Sequence, residues 1–315
     1  MARSFVFPGQ GSQFIGMGKD LADNFIEARE VFQEVDDALS QDLSKMMFDG
    51  NESDLNLTEN TQPALMAVSM AVIKILEKQG NISPKDHCAF VAGHSLGEYP
   101  ALTSAGVISL SDTARLLKLR GTSMQDAVPV GVGSMAAILG LDFETVEQIA
   151  QEAADGQICA AANDNSEGQV VVSGHKEAVE RAVALATEKG ARKAVILAVS
   201  APFHCALMAP AAEVMAPALA DTKFHTPAIP VVANVTASAE SDPEVSKKLL
   251  IEQITGTVRW RESVLFMRDQ GVDQMVELGA GKVLSGLARR IDRSISCESI
   301  GTTEQIEAFI EKINN

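Results

Sequence analysis

Cysteine is scarce in this chain of 315 residues, and the few cysteines lie far apart. They are Cys88, Cys159, Cys205 and Cys297, and no two of them form a CxxC pair. This spacing offers neither the paired pattern of a disulfide-stabilised secreted domain nor the ligand spacing of a structural zinc site. We therefore expect reduced thiols, a cytoplasmic location and no bound metal.

Long apolar runs are absent as well. No stretch of the sequence approaches the ~18 consecutive apolar residues that a membrane-spanning helix requires. At the N-terminus, Pro8 ends an apolar run that is too short for a secretory signal peptide. The sequence therefore predicts a protein that neither crosses a membrane nor begins with a signal peptide.

Positive charge is in deficit, with 26 Lys and Arg residues against 42 Asp and Glu, a formal net charge of −16 at pH 7. Because nucleic-acid binding depends on neutralising phosphates, this balance argues against a general nucleic-acid-binding role. The chain otherwise has a globular composition, with 46% hydrophobic and 22% charged residues. Its length allows a sizeable core in one large domain or two unequal ones.

Short apolar segments alternate with helical patterns along the first part of the chain. The segments Phe5–Phe7 and Cys88–Ala92 have the composition of buried strands. A long helix is predicted to begin at Thr61–Pro63, and another at Leu96 directly after the second strand. Strands that alternate with helices indicate a covered, parallel sheet and hence the α/β class.

Residues 131–197 follow a different order of elements. The predicted strands there are Ser134–Gly140, Gln157–Ala162, Gln169–Ser173 and Arg192–Val199, and the predicted helices are Phe143–Ala154 and His175–Lys189. The resulting order, βαββαβ, is that of a ferredoxin-like unit. We therefore predict a small subdomain at residues 131–197, inserted into a discontinuous catalytic domain of residues 1–130 and 198–315.

The pentapeptide Gly93–Gly97 has the pattern GxSxG and lies between a predicted strand and a predicted helix. In that context the glycines permit a sharp turn that presents the hydroxyl of Ser95 as a nucleophile. The backbone N–H of Leu96, at the start of the helix, is then placed to stabilise an oxyanion. The glycine turn Gly9–Gly11 is a second candidate for an oxyanion-binding loop.

A serine nucleophile needs a base, and His204 is the best candidate among five histidines. It follows the predicted buried strand Ala194–Val199 and the turn Ser200–Phe203, and catalytic groups collect where strands of an open α/β sheet end. Asp164 is a candidate for the third triad member, but its position in an Asn-Asp-Asn stretch equally fits a turn. Because a backbone carbonyl also orients imidazole, we predict a Ser–His dyad.

Arg120 indicates the class of substrate. At 3.6 residues per turn it falls in the middle of the apolar face of a helix predicted from about Asp112 to Asp126. An inward guanidinium is costly unless it is paired, and its planar fork suits a carboxylate. Two interpretations remain open at this point: an internal ion pair with an acidic side chain, or a substrate that carries a free carboxylate.

Taken together, these motifs resemble the family of malonyl-CoA:acyl-carrier-protein transacylases, and the resemblance extends over nearly the whole chain. The matching segments are Phe7–Gln13, Gly93–Tyr99, Arg120–Gly121, Pro202–His204, Gln253, Val258–Trp260 and Glu277–Lys282. The resemblance implies a hydrolase-like parallel-sheet core with a ferredoxin-like insert. Phe203 departs from the small residue that many free-standing members have before the histidine.

The same resemblance implies a role for each candidate residue. Ser95 would be the nucleophile, His204 the base and Arg120 the ligand of the malonyl carboxylate. The backbone N–H groups of Gln10 and Leu96 would form the oxyanion hole, and the main-chain carbonyl of Gln253 would orient His204. The implied reaction transfers a malonyl group from malonyl-CoA to the phosphopantetheine thiol of acyl carrier protein, for fatty acid synthesis, without a metal or redox cofactor.

Three alternatives are left open by the sequence. A serine esterase or thioesterase shares the GxSxG turn but releases the acid to water, and a polyketide-pathway acyltransferase shares the chemistry but serves another carrier. A non-catalytic carrier-binding module with a relic site is disfavoured by the joint presence of Ser95, His204 and Arg120. The oligomeric state is undecided, with a monomer as the expectation.

Overall fold

The computed structural model describes residues 2–199 and 201–315, which form two sheets of unequal size and the helices that cover them. The strands are β1 (Ala2–Phe7), β2 (Phe90–Gly93), β3 (Gly133–Leu139), β4 (Cys159–Ser166), β5 (Gln169–His175), β6 (Lys193–Ile196), β7 (Val231–Ala233), β8 (Ser238–Glu240), β9 (Val272–Leu278) and β10 (Ser296–Ile300). The helices of the first half are α1 (Lys19–Asn24), α2 (Ile26–Leu39), α3 (Leu43–Asp49), α4 (Glu52–Leu55), α5 (Thr58–Gln79), α6 (Pro84–His87), α7 (Glu98–Ser104), α8 (Leu110–Asp126) and α9 (Phe143–Ala154). Those of the second half are α10 (Lys176–Glu188), α11 (Ala209–Asp221), α12 (Pro243–Thr255), α13 (Trp260–Asp269), α14 (Val283–Ile291) and α15 (Thr303–Asn314), and short 3₁₀ helices span Ser95–Gly97 and Ala206–Met208.

The larger sheet has the strand order β10-β9-β1-β2-β7-β8, in which all neighbours are parallel except the β7–β8 hairpin. Successive side chains of a strand point to opposite faces, and both faces of β1 are buried: Phe5 and Phe7 pack in one apolar core, and Val6 packs in another with α13 and α14. The predicted covered parallel sheet is therefore confirmed. Since Phe7 pairs with Gly93 at the carboxyl ends of β1 and β2, the loops that follow these strands lie side by side.

The smaller sheet has the order β4-β5-β3-β6 and is antiparallel throughout. Its strands alternate with α9 and α10 in the βαββαβ order, and it has an apolar core of its own that includes Ile138, Val146 and Val179. The predicted fold class, a parallel-sheet core with a ferredoxin-like insert, is thus confirmed. The segment boundaries at residues 130/131 and 197/198 stay a prediction, while the first strand of this sheet begins at Gly133 and the last ends at Ile196.

The predicted start of the long helix was wrong by one turn. α5 begins at Thr58, so Pro63 lies inside the helix and not at its first position. The hydroxyl of Thr61 donates to the carbonyl of Leu55 at 2.6 Å, which ties α5 to the preceding helix. From the sequence alone, a threonine at this position looks like a helix cap. No helix in residues 2–199 and 201–315 has the length and apolarity needed to span a membrane.

The prediction of a buried strand before His204 was also wrong. β6 is the edge strand of the smaller sheet and pairs only with β3, which leaves Val195 and Ile196 39% and 45% exposed. An apolar run does not distinguish an edge strand from a central one, because burial is decided by the neighbours that the fold supplies. Ser200, which was predicted to open the turn before His204, lies outside the described residues.

Candidate active site

Ser95 lies at the sharp turn between β2 and α7. The residue has a φ of +53°, a left-handed conformation that a residue with a side chain rarely adopts, and it begins a 3₁₀ helix, so the α-helix predicted from Leu96 starts only at Glu98. A Cβ atom on Gly93 would lie 1.8 Å from the carbonyl oxygen of Gly97, and one on Gly97 would lie 2.2 Å from that of Phe7. Only glycines therefore fit at the two ends of this turn, which exposes the serine hydroxyl as a nucleophile elbow does.

The hydroxyl of Ser95 meets the imidazole of His204. Ser95 Oγ lies 2.8 Å from His204 Nε2, and His204 Nδ1 lies 2.8 Å from the main-chain oxygen of Gln253. Because a carbonyl only accepts hydrogen bonds, Nδ1 carries the proton and Nε2 presents its lone pair to the serine hydroxyl. The arrangement is a serine paired with a neutral imidazole that a backbone carbonyl orients.

The surroundings of His204 keep the imidazole neutral. Only 4% of the residue is exposed, and burial together with the positive charge of Arg120 lowers the pKa of His204 to about 3, although the hydrogen bond to Gln253 acts in the opposite direction. At neutral pH the ring is therefore unprotonated. An unprotonated Nε2 beside a hydroxyl is able to accept its proton as a general base.

Arg120 projects inwards from α8 to the same place. Its Nη1 donates to Gln62 Oε1 at 2.7 Å, and its Nη2 donates to Gln253 Oε1 at 2.8 Å and to Ser95 Oγ at 3.2 Å. The side chain is 1% exposed, it forms no ion pair with an acidic side chain of the described residues, and its Nε has no hydrogen-bond partner there. A buried guanidinium that faces a hydroxyl without a carboxylate partner has the charge and the donor geometry that suit an anionic ligand.

These groups line a cavity of about 360 Å³ between the two sheets. Gln10 and Leu96, which were predicted to supply oxyanion-binding N–H groups, line it beside Ser95. The loop of Gly9 lies directly on the elbow, since a Cβ atom on Gly9 would be 2.7 Å from the carbonyl oxygen of His94. The remaining wall is largely apolar and comes from both parts of the molecule, with Met124, Met135, Val171, Leu197, Val199 and Phe203.

Comparisons with known proteins agree with this geometry. The chain matches the family model described as acyl transferase domain over residues 4–312. It is 45% identical over 308 residues to the malonyl CoA-acyl carrier protein transacylase of Escherichia coli strain K12, a match that covers 98% of each chain. The chain belongs to the malonyl CoA-acyl carrier protein transacylase family.

Solved structures of the same family have the same fold. An acyl-carrier-protein-S-malonyltransferase from Bartonella henselae is 54% identical, with a TM-score of 0.97 and coverage of 100% of both chains. A malonyl-transacylase in complex with a type II PKS acyl-carrier protein is 44% identical, with a TM-score of 0.96 and the same full coverage. The family resemblance inferred from the motifs is therefore confirmed over the whole chain.

Two residues that the sequence offers as candidates for the site, Asp164 and His94, do not bond to Ser95 or His204 through their side chains. Asp164 lies within β4 and not in a turn, and its carboxylate pairs with Arg261 at 2.9 Å, away from His204. His94 turns away from the serine, and its Nε2 lies 2.7 Å from Asn165 Oδ1. The described residues hold no group of three His, Cys, Asp or Glu side chains that is placed to bind a metal ion.

Three buried polar residues of the site were missed by the sequence analysis: Gln62, Glu98 and Asn234. Asn234 Oδ1 accepts from the N–H of Ser95 at 2.7 Å, and its Nδ2 donates to the carbonyl of Gly93 at 2.7 Å, so one amide holds both sides of the strained turn. A signal for Asn234 exists, because it directly follows the buried strand β7, where functional groups collect. Gln62 gives no such signal, since a polar residue in a helix is ordinarily a surface residue.

Proposed function

We propose that this protein transfers the malonyl group of malonyl-CoA to the phosphopantetheine thiol of acyl carrier protein through an ester on Ser95. The observation that carries the proposal is the guanidinium of Arg120, which is buried, lacks an acidic partner in the described residues and lies 3.2 Å from Ser95 Oγ. A receptor for a carboxylate beside a nucleophile selects an acyl group that ends in a carboxylate. The names of the relatives support malonyl as that group.

The first half-reaction forms the ester. The proton of Ser95 Oγ passes to His204 Nε2 while Oγ attacks the thioester carbonyl, and the N–H groups of Gln10 and Leu96 hold the resulting oxyanion. When the C–S bond breaks, His204 returns the proton to the departing sulfur and coenzyme A leaves as the thiol. The malonyl carboxylate remains on Arg120 throughout, so the acyl group is oriented in both steps.

The second half-reaction reverses the roles. The carrier's thiol gives its proton to His204 and its sulfur attacks the serine ester, after which Ser95 Oγ regains the proton. We propose that no metal or redox cofactor takes part, because each step is a proton transfer coupled to acyl exchange. For transfer to succeed, the thiol must attack the serine ester faster than water does.

We further propose that the protein acts in the cytoplasm as a monomer and supplies the extender unit of fatty acid synthesis. A similar structure holds a polyketide-type carrier, so a polyketide carrier is the alternative partner. Parallel assays with carriers of both kinds separate these two: the physiological partner is the carrier with the higher kcat/KM.

Incubation with radiolabelled malonyl-CoA and acyl carrier protein tests the transfer itself. We expect the label on the carrier. Label released as free malonate would indicate a thioesterase, and label that stays on coenzyme A would indicate a carrier-binding module without activity.

A further inference from the structure

Behind the nucleophile lies a buried carboxylate that the proposed mechanism does not use. Glu98, the first residue of α7, is 3% exposed, and it forms no ion pair within the described residues. Its Oε2 accepts from Gln253 Nε2 at 2.7 Å and from the N–H of Asn234 at 3.1 Å. Burial raises the pKa of Glu98 to about 7, because a charged carboxylate is poorly solvated here, although the hydrogen bonds from Gln253 and Asn234 act in the opposite direction.

The bonds from Gln253 to Glu98 and to the carbonyl of Ser95 together fix the orientation of the Gln253 amide. Glu98 Oε2, which also accepts from the N–H of Asn234, and the Ser95 carbonyl are both acceptors, so Gln253 presents its NH₂ group to them at 2.7 Å and 2.9 Å. The amide oxygen then faces Arg120 and accepts from Nη2 at 2.8 Å. In the opposite orientation the NH₂ group would face the guanidinium, donor against donor.

The amide of Gln253 also separates the carboxyl group of Glu98, which is negative when ionised, from the positive charge of Arg120. Glu98 and Arg120 each bond to one end of it and not to each other, so the guanidinium has a nearby countercharge without being committed to an ion pair. A direct ion pair would compete with an anionic ligand for the same donors. The Nε of Arg120 accordingly has no partner among the described residues.

We propose that Glu98 is a positioning residue: it holds the Gln253 amide with its oxygen toward Arg120 and thereby makes the site selective for acyl groups that carry a carboxylate. This inference rests on the proposed function, because it concerns how malonyl is preferred. It assigns to Glu98 an action through Gln253 and no contact with the substrate.

The test compares two replacements of Glu98 by the ratio of malonyl to acetyl kcat/KM for loading of Ser95 from the coenzyme A thioester. Glu98→Gln keeps an oxygen that accepts both bonds, so its ratio should stay within about threefold of the wild type. Glu98→Ala removes the acceptor, so its ratio should fall about 10- to 100-fold, mainly through a higher malonyl KM. Equal losses for both acyl groups in Glu98→Ala, or an equal fall in ratio in both variants, would overturn the proposal.

Gln253→Leu provides the second arm, which tests the amide through which Glu98 acts even if Glu98→Ala does not fold. This variant keeps the main-chain carbonyl that orients His204 but removes the amide oxygen that faces Arg120. We expect its malonyl-to-acetyl ratio to fall as in Glu98→Ala, and the double variant to lose less than about twofold more, since the two residues act in series. An unchanged ratio in Gln253→Leu would sink the inference, whereas a wild-type protein that does not load malonyl at all would sink the proposed function instead.

Discussion

At the scale of single residues, the site depends on two backbone conformations that side chains rarely adopt. Ser95 has a φ of +53° and His204 a φ of +59°, and such conformations cost on the order of 1–3 kcal/mol each. The N–H of Ser95 donates to Asn234 Oδ1 and the Nδ1–H of His204 donates to the carbonyl of Gln253, and these bonds hold the two residues there. The surrounding structure thus fixes the two side chains that we propose as nucleophile and base.

The lowered pKa of His204 predicts the pH dependence of malonyl loading. The unprotonated ring is the active form, and with a pKa of about 3 it persists far below the ordinary histidine value of 6.5. We expect the loading rate to stay level from about pH 8 down to about pH 5, measured by rapid quench from malonyl-CoA. An acid limb centred near pH 6.5 would show that His204 is not held neutral.

The same shift affects folding in a direction that follows from linkage. As the pH falls below about 6.5 the unfolded chain protonates this histidine while the folded chain does not, so this contribution to stability is lost between about pH 6.5 and pH 3. Glu98 acts in the opposite sense, because its pKa is raised from 4.5 to about 7. Its contribution to stability is complete below about pH 4.5 and is lost as the pH rises to about 7. Folding must therefore be monitored by circular dichroism at each pH of the kinetic profile.

Arg120 predicts a selective effect of substitution. Arg120→Ala should reduce malonyl loading about a hundredfold and acetyl loading much less, because only malonyl has a carboxylate for the guanidinium to bind. Arg120→Lys should recover little, since an ammonium does not reproduce the planar two-point contact. Steady-state loading assays with both thioesters measure this, and equal losses for the two acyl groups would mean that Arg120 only supports the fold.

At the scale of elements, the turn between β2 and α7 is the feature with the least freedom. A Cβ atom on Gly97 would lie 2.2 Å from the carbonyl oxygen of Phe7 in β1, so strand and turn would have to separate. We expect Gly97→Ala to destabilise the protein by about 3 kcal/mol or more and to abolish loading. Thermal unfolding and intact-mass assays would show both effects.

Gly286 offers the matched control for that substitution. It lies in α14, and a Cβ atom there meets nothing within 4 Å. Gly286→Ala should leave loading unchanged and stabilise the protein by up to about 1 kcal/mol, because alanine favours the helix. A comparable loss in both variants would mean that the turn has no special requirement for glycine.

At the scale of elements, the sequence alone predicts the features that depend on neighbouring residues and not those that depend on distant segments. The order of strands and helices in the small subdomain, the GxSxG turn and the inward direction of Arg120 follow from local periodicity and glycine spacing. The exposure of β6 and the bonds of Asn234 and Glu98 do not, because each depends on which distant segment lies opposite. The starting residue of α5 was misplaced for a local reason: α5 begins at Thr58, and Thr61 bonds from inside it to the carbonyl of Leu55 and does not cap it.

At the scale of the whole molecule, charge governs the approach of a carrier protein. Acyl carrier proteins are acidic as a class and this chain has a net charge of −16, so a local positive surface is needed for docking. Arg192 and Lys193 are exposed at the start of β6, which leads to Leu197 and Val199 in the cavity wall. A second exposed pair, Arg289 and Arg290, lies at the end of α14.

Reversal of the first pair tests this surface. Arg192→Glu combined with Lys193→Glu should raise the carrier KM severalfold and leave malonyl loading from coenzyme A nearly intact. The effect should shrink as salt is raised, because exposed charges are screened over about 10 Å at 0.1 M ionic strength. Lys78→Glu combined with Lys85→Glu, near the amino end of β2, is the control with the same charge change; equal KM increases in both variants would contradict a local docking surface.

The central claim is that Ser95 carries the acyl group, and intact-mass measurement after brief incubation with malonyl-CoA tests it most directly. The wild-type protein should gain one malonyl group, peptide mapping should locate it on Ser95, and acyl carrier protein should remove it. Ser95→Ala, purified and folded, should gain none. A malonyl group that persists on another residue of Ser95→Ala, with transfer to the carrier intact, would contradict the account.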